Sequence, residues 1–269
     1  MFKLLSSPIT NQKAKKNLNL KVHTYFLSLA HSDTSGYNTC PNANRITINE
    51  KNPKKSNCSS VCVAKNGNGN FPNVKKSRIN KTIRFFEDRQ NFLEDLVFDV
   101  FKAINYSIKK DFEPTFRLNA YSDIKWENIK IKKYDSTIFE LFPFITFYDY
   151  SKISNRKTLF NYELTYSHYG LNEVTKEQIK QGYNVAMVFN KNRTEDLPKM
   201  YQGLKVIDGD KTDLRTLKND GKNVIVGLRA KMSKKNMNHE LTKKRGLKFL
   251  VNSNSLEHLK RDVKNMEIN

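Results

Sequence analysis

The chain has 269 residues, a formal net charge of +21, and 38% hydrophobic and 11% aromatic residues. This is enough apolar surface for a sizeable core, which excludes a disordered protein, and the length accommodates one large domain, an α/β barrel included. No apolar run reaches the roughly 18 residues that crossing a membrane takes, and "MFKLLSSPITNQKAKK" has neither the apolar length nor the cleavage pattern of a signal peptide, so a cytoplasmic protein without a membrane partner is expected.

The positive charge has two readings. Clustered Lys and Arg attract phosphate backbones, which makes nucleic acid a possible partner. Lys and Asn are also over-used along the whole chain, as AT-rich coding would produce, and a charge run is then only a solvated surface.

In chain order, "KVHTYFLSLAH" (21–31) alternates and is rich in β-formers, so it predicts a strand. A polar loop follows over 32–75, rich in Asn, Ser, Pro, Gly and Lys. Phe85, Phe86, Phe92, Leu93, Leu96, Val97, Val100, Phe101 and Ile104 recur at helical spacing within 74–110, which predicts a long amphipathic helix, whole or broken in two. Strand and helix signals then alternate. Strands are expected in "PTFRLNAYSDI", "FITFYDYSK", "LFNYELTYSHYG", "YNVAMVFN", "LKVIDGDKTD" and "KNVIVGLRAK". Helices are expected in "STIFELFP" and in "VTKEQIKQG", with Thr175 as N-cap and Gly182 as stop.

Strands separated by helical segments imply an α/β protein with a mainly parallel sheet. The expected fold is a partial or complete parallel (βα) barrel, TIM-like, over residues 1–231, with the cysteine loop 32–75 after its first strand. Little but a polar loop separates the last two strands, so regular closure is expected to fail there. Residues 232–269 are expected to form a basic polar tail, with a short helix in "SLEHLKRDVKNM".

In a parallel barrel the reactive groups sit at the C-terminal ends of the strands. Arg117, Asn119, Ser122 and Asp123 end the second expected strand, Asp149 and Lys152 the third, and Ser167 and His168 the fourth. Asp208 and Asp210 end the sixth, and Arg229 and Lys231 the last. Asp149, Lys152, Asp208 and Asp210 are the candidate catalytic groups. Ser167, Arg229 and Lys231 are the candidate substrate contacts, with Lys and Arg suited to an anionic small molecule or nucleotide. Each has a plainer reading: Arg117 pairs a carboxylate, "DGD" is a turn, His168 is a satisfied structural histidine, and Trp126 is packing.

All three cysteines, Cys40, Cys58 and Cys62, lie on the one loop, and their odd number argues against a disulfide framework. With His31 or His23 they can bind zinc. By themselves they can hold three irons of a [4Fe–4S] cluster, leaving the fourth iron open. They can also be plain free thiols.

Three cysteines on a loop after the first strand of a partial barrel resemble the radical S-adenosylmethionine (SAM) enzymes. That resemblance implies a [4Fe–4S] cluster whose open iron chelates SAM, reductive cleavage to a 5′-deoxyadenosyl radical, and a polar segment after the second strand that holds the SAM amino group. "NAYSD" stands in that place, so Asn119, Ser122 and Asp123, with Arg117 beside them, are the implied cofactor contacts. The superfamily pattern is C-x3-C-x2-C, whereas here only Cys58 and Cys62 are in C-x3-C and Cys40 is far upstream. The wording of "LSSPITNQKAKKN", "SGYNTCPNAN", "GNGNF", "FFEDR", "RLNAYSDIKWENI", "FYDYSK", "NVAMVFN", "VIDGD" and "VIVGLRAK" is similar, from about residue 4 to 231, to the phage family called gene product eighty-eight. That resemblance implies a phage or prophage origin and supports the cysteines as a set, with "RITINEKNPKK" inserted between the first two. It supplies no reaction. The expected function is an iron–sulfur-dependent, radical-SAM-like enzyme acting on an anionic nucleotide or nucleic-acid substrate. The alternative is a non-catalytic, zinc-stapled nucleic-acid-binding protein.

Overall fold

The computed structural model describes residues 3–43, 58, 62–65, 67–170, 172–230 and 251. Its elements in chain order are β1 (Leu5–Ser6), β2 (Val22–Leu27), α1 (Pro72–Glu87), α2 (Arg89–Lys109), β3 (Glu113–Arg117), β4 (Lys130–Ile131), β5 (Ser136–Thr137), α3 (Ile138–Leu141) and β6 (Thr146–Ser151). There follow β7 (Tyr162–Ser167), α4 (Asn172–Lys180), β8 (Val185–Phe189), β9 (Met200–Tyr201), β10 (Leu204–Asp208), α5 (Leu217–Asp220) and β11 (Ile225–Arg229). The expected tail helix lies outside the described residues.

One nine-stranded sheet runs β1-β2-β3-β6-β7-β8-β11-β10-β9. The strands from β2 to β10 in that order are parallel, and the short β1 and β9 pair antiparallel at the two edges. The protein is therefore mixed α/β with a largely parallel sheet and few helices. The sheet is not closed, so the complete TIM-like barrel is not formed. Regularity breaks where the sequence predicts: β11 inserts between β8 and β10, so the last two parallel strands are exchanged in space.

Registered neighbours point to the same face of a sheet. On one face the row Tyr25, Phe116, Phe147, Tyr162 is continuous across four strands. It packs beneath Phe92, Leu93, Leu96, Val100 and Ala103 of α2, which are spaced as one helix face, and beneath Trp126 and Phe139. Each such aromatic, fully buried, contributes on the order of 2–3 kcal/mol. Tyr166, Val185 and Ile225 continue the row into a second cluster. The helix expected over 74–110 breaks at Asp88, whose φ of −127° and ψ of 50° leave the helical region. Buried Asp99 of α2 accepts hydrogen bonds from the backbone N–H groups of Leu4 and Leu5, at 2.7 and 3.1 Å, and so ties β1 to the helix.

The opposite face is polar yet buried. It carries Thr24, Thr115, Arg117, Tyr148 and Thr165. Irregular chain covers it: the 3-10 turn Ala14–Leu20, whose Asn17 donates to Thr24 Oγ1 at 2.8 Å, and the segment after β10, whose Leu214 packs with Val22 and Tyr148. Val251 returns to the sheet beside β8, donating to Val188 O at 2.8 Å and accepting from Asn190 N at 3.0 Å.

A candidate cysteine site at the strand ends

β2 and β3 end side by side, with Phe26 opposite Arg117, and both chains then turn toward the cysteine loop. Asn119 organises the turn after β3. Its Oδ1 accepts from Ser122 Oγ at 2.8 Å, Ile124 N at 2.9 Å and Trp126 Nε1 at 3.2 Å, and its Nδ2 donates to Ile124 O at 2.9 Å. One amide thus closes an Asx-type turn and anchors the only tryptophan. Asp123 joins three segments: its backbone N–H donates to Thr39 O at 2.8 Å, and its carboxylate accepts from Ser151 Oγ and Lys152 N at 2.8 Å and from Arg156 at 3.3 Å.

Cys40 sits against this turn. Its thiol donates to Tyr121 O at 3.5 Å and accepts from Ser32 N at 3.4 Å. Burial pushes the Cys40 thiol up to about 11, with the neighbouring Asp123 and Cys62 adding to the rise. A thiol so shifted is no activated nucleophile; bound to a metal cation it would instead be a deprotonated ligand. Cys40 and Cys62 are therefore electrostatic neighbours, with Arg78 of α1 and Tyr121 close to Cys62. Among the described residues no three His, Cys, Asp or Glu side chains are assembled as a metal-binding group, so Cys58 does not complete a ligand set with this pair. The pair offers two thiol donors, one short of the three that a [4Fe–4S] cluster would take from this loop.

The remaining candidates fall into separate groups. Lys152 Nζ donates to Ser167 Oγ at 2.8 Å, and Asn42 of the cysteine loop reaches Lys152 O at 2.8 Å, so these two adjoin the cysteine site. Asp149 is fully buried beneath the turn. It accepts from Leu118 N at 3.1 Å, Asn119 N at 3.0 Å and Tyr162 OH at 3.2 Å, with Arg117 Nε at 3.7 Å. Burial pushes its carboxyl up to about 7, against the pull of Arg117. Arg117 pairs with Asp213 at 2.6 Å. Asp208, Asp210 and Arg229 pair with one another: Arg229 Nη1 lies 2.9 and 3.0 Å from the two Asp208 oxygens, and Arg229 N donates to Asp210 at 2.9 Å. Gly209 between the two aspartates is jammed against β11, where an added Cβ would stand 2.5 Å from Val226 Cγ1. That turn is a close-packed rivet between β10 and β11. Lys231 lies outside the described residues.

Two expectations change, those on Thr175 and His23. Thr175 is not an N-cap: it lies inside α4 and its hydroxyl meets His168 Nδ1 at 2.7 Å. His168 is accordingly a satisfied structural histidine, drawn down to about 4 by burial. His23 is no partner of the cysteines, since it stacks on Phe112 with ring centres 4.0 Å apart and bonds Ser107 on α2.

Tyr121 and Arg78 were absent from the residues expected at the site. A signal for Arg78 exists: it stands four and seven positions before Thr82 and Phe85, on the buried face of α1. Among the described residues no helix is long and apolar enough to cross a membrane. No curated protein and no solved structure matches the chain. The family model described as Gene product 88 matches residues 3–246, which is most of the length. The chain belongs to the gene product 88 family of phage proteins.

Proposed function

We propose that the chain is an iron–sulfur enzyme of radical-SAM-like chemistry working at the C-terminal ends of its parallel strands. Cys40, Cys58 and Cys62 are its metal ligands in this reading, which requires Cys58 to join the Cys40 and Cys62 pair on binding, and the substrate is anionic, of nucleotide type. The observation that carries the reading is the meeting of Cys40, Cys62 and the 119–123 turn at the ends of β2 and β3. Crevices at the carboxyl ends of parallel strands are where α/β proteins bind ligands. When bound, a cluster held by three thiolates supplies an open iron for a co-substrate such as SAM and the electron for its reductive cleavage.

The chain's own residues divide the remaining work. Asn119, Ser122 and Asp123 hold the turn with their side chains already engaged, so its backbone, and not those side chains, is the surface offered to a cofactor. Lys152, whose Nζ donates to the Ser167 hydroxyl at 2.8 Å next to the cysteine site, is the cation offered to an anionic substrate. Asp149 positions the turn from below.

The test is iron and acid-labile sulfide content of protein purified without oxygen, followed by assay of SAM cleavage. About four irons and four sulfides per chain support the reading. One zinc and no sulfide would replace it with a zinc-stapled binding protein. That second reading is favoured only by the Ser32 N–H contact to Cys40, which sets His31 next to the thiol in the chain.

A further inference from the structure

The cysteine site lies at the end where the parallel strands finish. At the opposite end, two residues before the first residue of β6 and of β7, stand Phe144 and Phe160. They are 96% and 82% exposed. Phe147 is registered with Tyr162, so the two segments enter the sheet side by side. Both are fixed. Asn161 is buried, and its Nδ2 lies 3.1, 3.0 and 3.3 Å from the carbonyl oxygens of Phe139, Phe142 and Ile145. Its own carbonyl accepts from Phe147 N at 2.8 Å. One asparagine thus ties the two segments together and holds two aromatic rings out in solvent. Large apolar side chains exposed in this way mark contact sites.

The same edge is basic. Lys109 and Lys110 lead into β3, Lys157 into β7, Lys180 into β8 and Lys222 into β11, and all are exposed. Among the described residues none of these lysines has an ion pair. The acids at this edge are engaged elsewhere: Asp111 by Lys21 at 3.6 Å, Glu113 by Lys218 at 3.8 Å, Glu163 by Leu217 N at 2.5 Å and Glu177 by Gln181 Nε2 at 3.0 Å. In the strand order β3-β6-β7-β8-β11 the two rings stand inside the row of lysines. At the spacing of paired strands the row spans about 20 Å.

We propose that this edge binds single-stranded nucleic acid, with bases stacked on Phe144 and Phe160 and phosphates on the lysines to either side. Single strands are held by this combination, a cationic track for the backbone and aromatic faces for the bases. A second copy of the chain fits less well. Two rings offer roughly 400 Å², about half of what each partner of a stable dimer covers, and like lysines would then face one another. The proposal stands apart from the iron–sulfur reading, because the two sites lie at opposite ends of the strands. It gives part of the +21 charge a specific use.

The experiment measures fluorescence anisotropy of a labelled oligothymidine with the full chain over a series of salt concentrations. It compares wild type, the double variant Phe144→Ala with Phe160→Ala, and the double variant Lys157→Gln with Lys180→Gln. The phenylalanine variant is expected to unfold at the wild-type temperature, to bind about tenfold more weakly or worse at every salt concentration, and to keep the wild-type salt slope. The lysine variant is expected to lose about 1.4 from the slope of log affinity against log salt. Should the phenylalanine double variant not fold, Phe160→Ala alone reads the same loss. Equal affinity in wild type and the folded phenylalanine variant overturns the proposal, and so does an unchanged slope in the lysine variant. Absence of wild-type binding at roughly 50 mM salt overturns it too. Loss of self-association, or of binding to phosphatidylserine vesicles, in a phenylalanine variant that keeps its oligonucleotide affinity gives the rings to another occupant and also overturns it. None of these results depends on iron or sulfide content, so the iron–sulfur reading stands or falls separately.

Discussion

Arg117 on β3 and Asp213, after β10, meet at 2.6 Å although β6, β7, β8 and β11 stand between β3 and β10 in the sheet. The pair pins the segment that follows β10 across the polar face, where Asn17 also accepts from Asp213 N at 2.9 Å. Burial opposes the charge of Asp213, but Arg117, Lys13 and the Arg117 hydrogen bond outweigh it and hold the carboxyl below its ordinary value.

Asp213→Asn is therefore expected to destabilise the protein by about 3 kcal/mol at neutral pH, because a buried guanidinium loses its nearest counter-charge. The folded pKa is depressed, so the contribution is present above the ordinary carboxylate value and lost as pH falls through the folded one. Urea unfolding at pH 7 and pH 3 checks this. The gap between wild type and variant should shrink at the lower pH, and an equal gap at both would remove the ion pair from the account.

Asp149 has the opposite sign. Its carboxyl is raised to about 7, so between the ordinary carboxylate value and pH 7 the folded chain keeps a proton that the unfolded chain has lost. Stability then falls as pH rises through that window, by up to about 1.4 kcal/mol per pH unit from this group. Asp149→Asn removes that slope and also sets an amide donor against the Leu118, Asn119 and Tyr162 donors, at a cost of about 1–3 kcal/mol. The difference between the two proteins should be larger at pH 5 than at pH 8. A constant difference would mean that Asp149 is ionised in the fold throughout.

Gly209→Ala should cost about 1–3 kcal/mol by forcing β11 away from the turn. The new methyl meets Val226 Cγ1, on a stiff β-branched side chain, and Gly227 O at 3.1 Å. Chemical denaturation reads this, and a variant as stable as wild type would show that β10 and β11 are less tightly joined than their contacts indicate.

Asn119→Ala removes the acceptor for three donors at once, so a loss of about 2–3 kcal/mol is expected. Its consequence should extend to the cysteine site, because Tyr121 O, which receives the Cys40 thiol, belongs to the same turn. Iron content after anaerobic reconstitution should drop together with the unfolding temperature. Full iron loading in the variant would separate the turn from the metal site.

Lys152→Met should weaken binding of an anionic nucleotide about tenfold without changing iron content, measured by titration calorimetry with a nucleoside monophosphate as probe. Equal affinity in both proteins would remove Lys152 from the substrate contacts.

The long parallel strands and the helical span after the first of them are legible because their signals are local, whereas the break at Asp88 is not. Tyr25, Phe116, Phe147 and Tyr162 belong to runs of β-formers, and Phe92 to Ala103 repeat at helical spacing. The edge strands β1 and β9 and the small β4–β5 pair escape because two residues carry no period. At the site, the polar turn 119–123 is legible as polar residues ending a strand, whereas Arg78 and Tyr121 are single residues whose importance comes from what they face. His168, Asp208, Asp210 and Arg229 look alike in sequence, as polar groups at strand ends. Only contact distances separate a hydrogen-bonded histidine and an ion-paired rivet from the cysteine-side group.

Alternation, helical spacing and turn residues by themselves determined the longer elements, their largely parallel pairing, the thiol-bearing loop after the first long strand and the irregularity at the last two strands. These are properties of neighbours in the chain. Only the tertiary structure decided that the sheet stays open, that β11 enters between β8 and β10, that a polar face is buried under irregular chain, and that Cys40 seats against the 119–123 turn. Each of these depends on pairs far apart in sequence. A buried charge takes its meaning from the partner it finds across the fold, and the sequence around it does not name that partner.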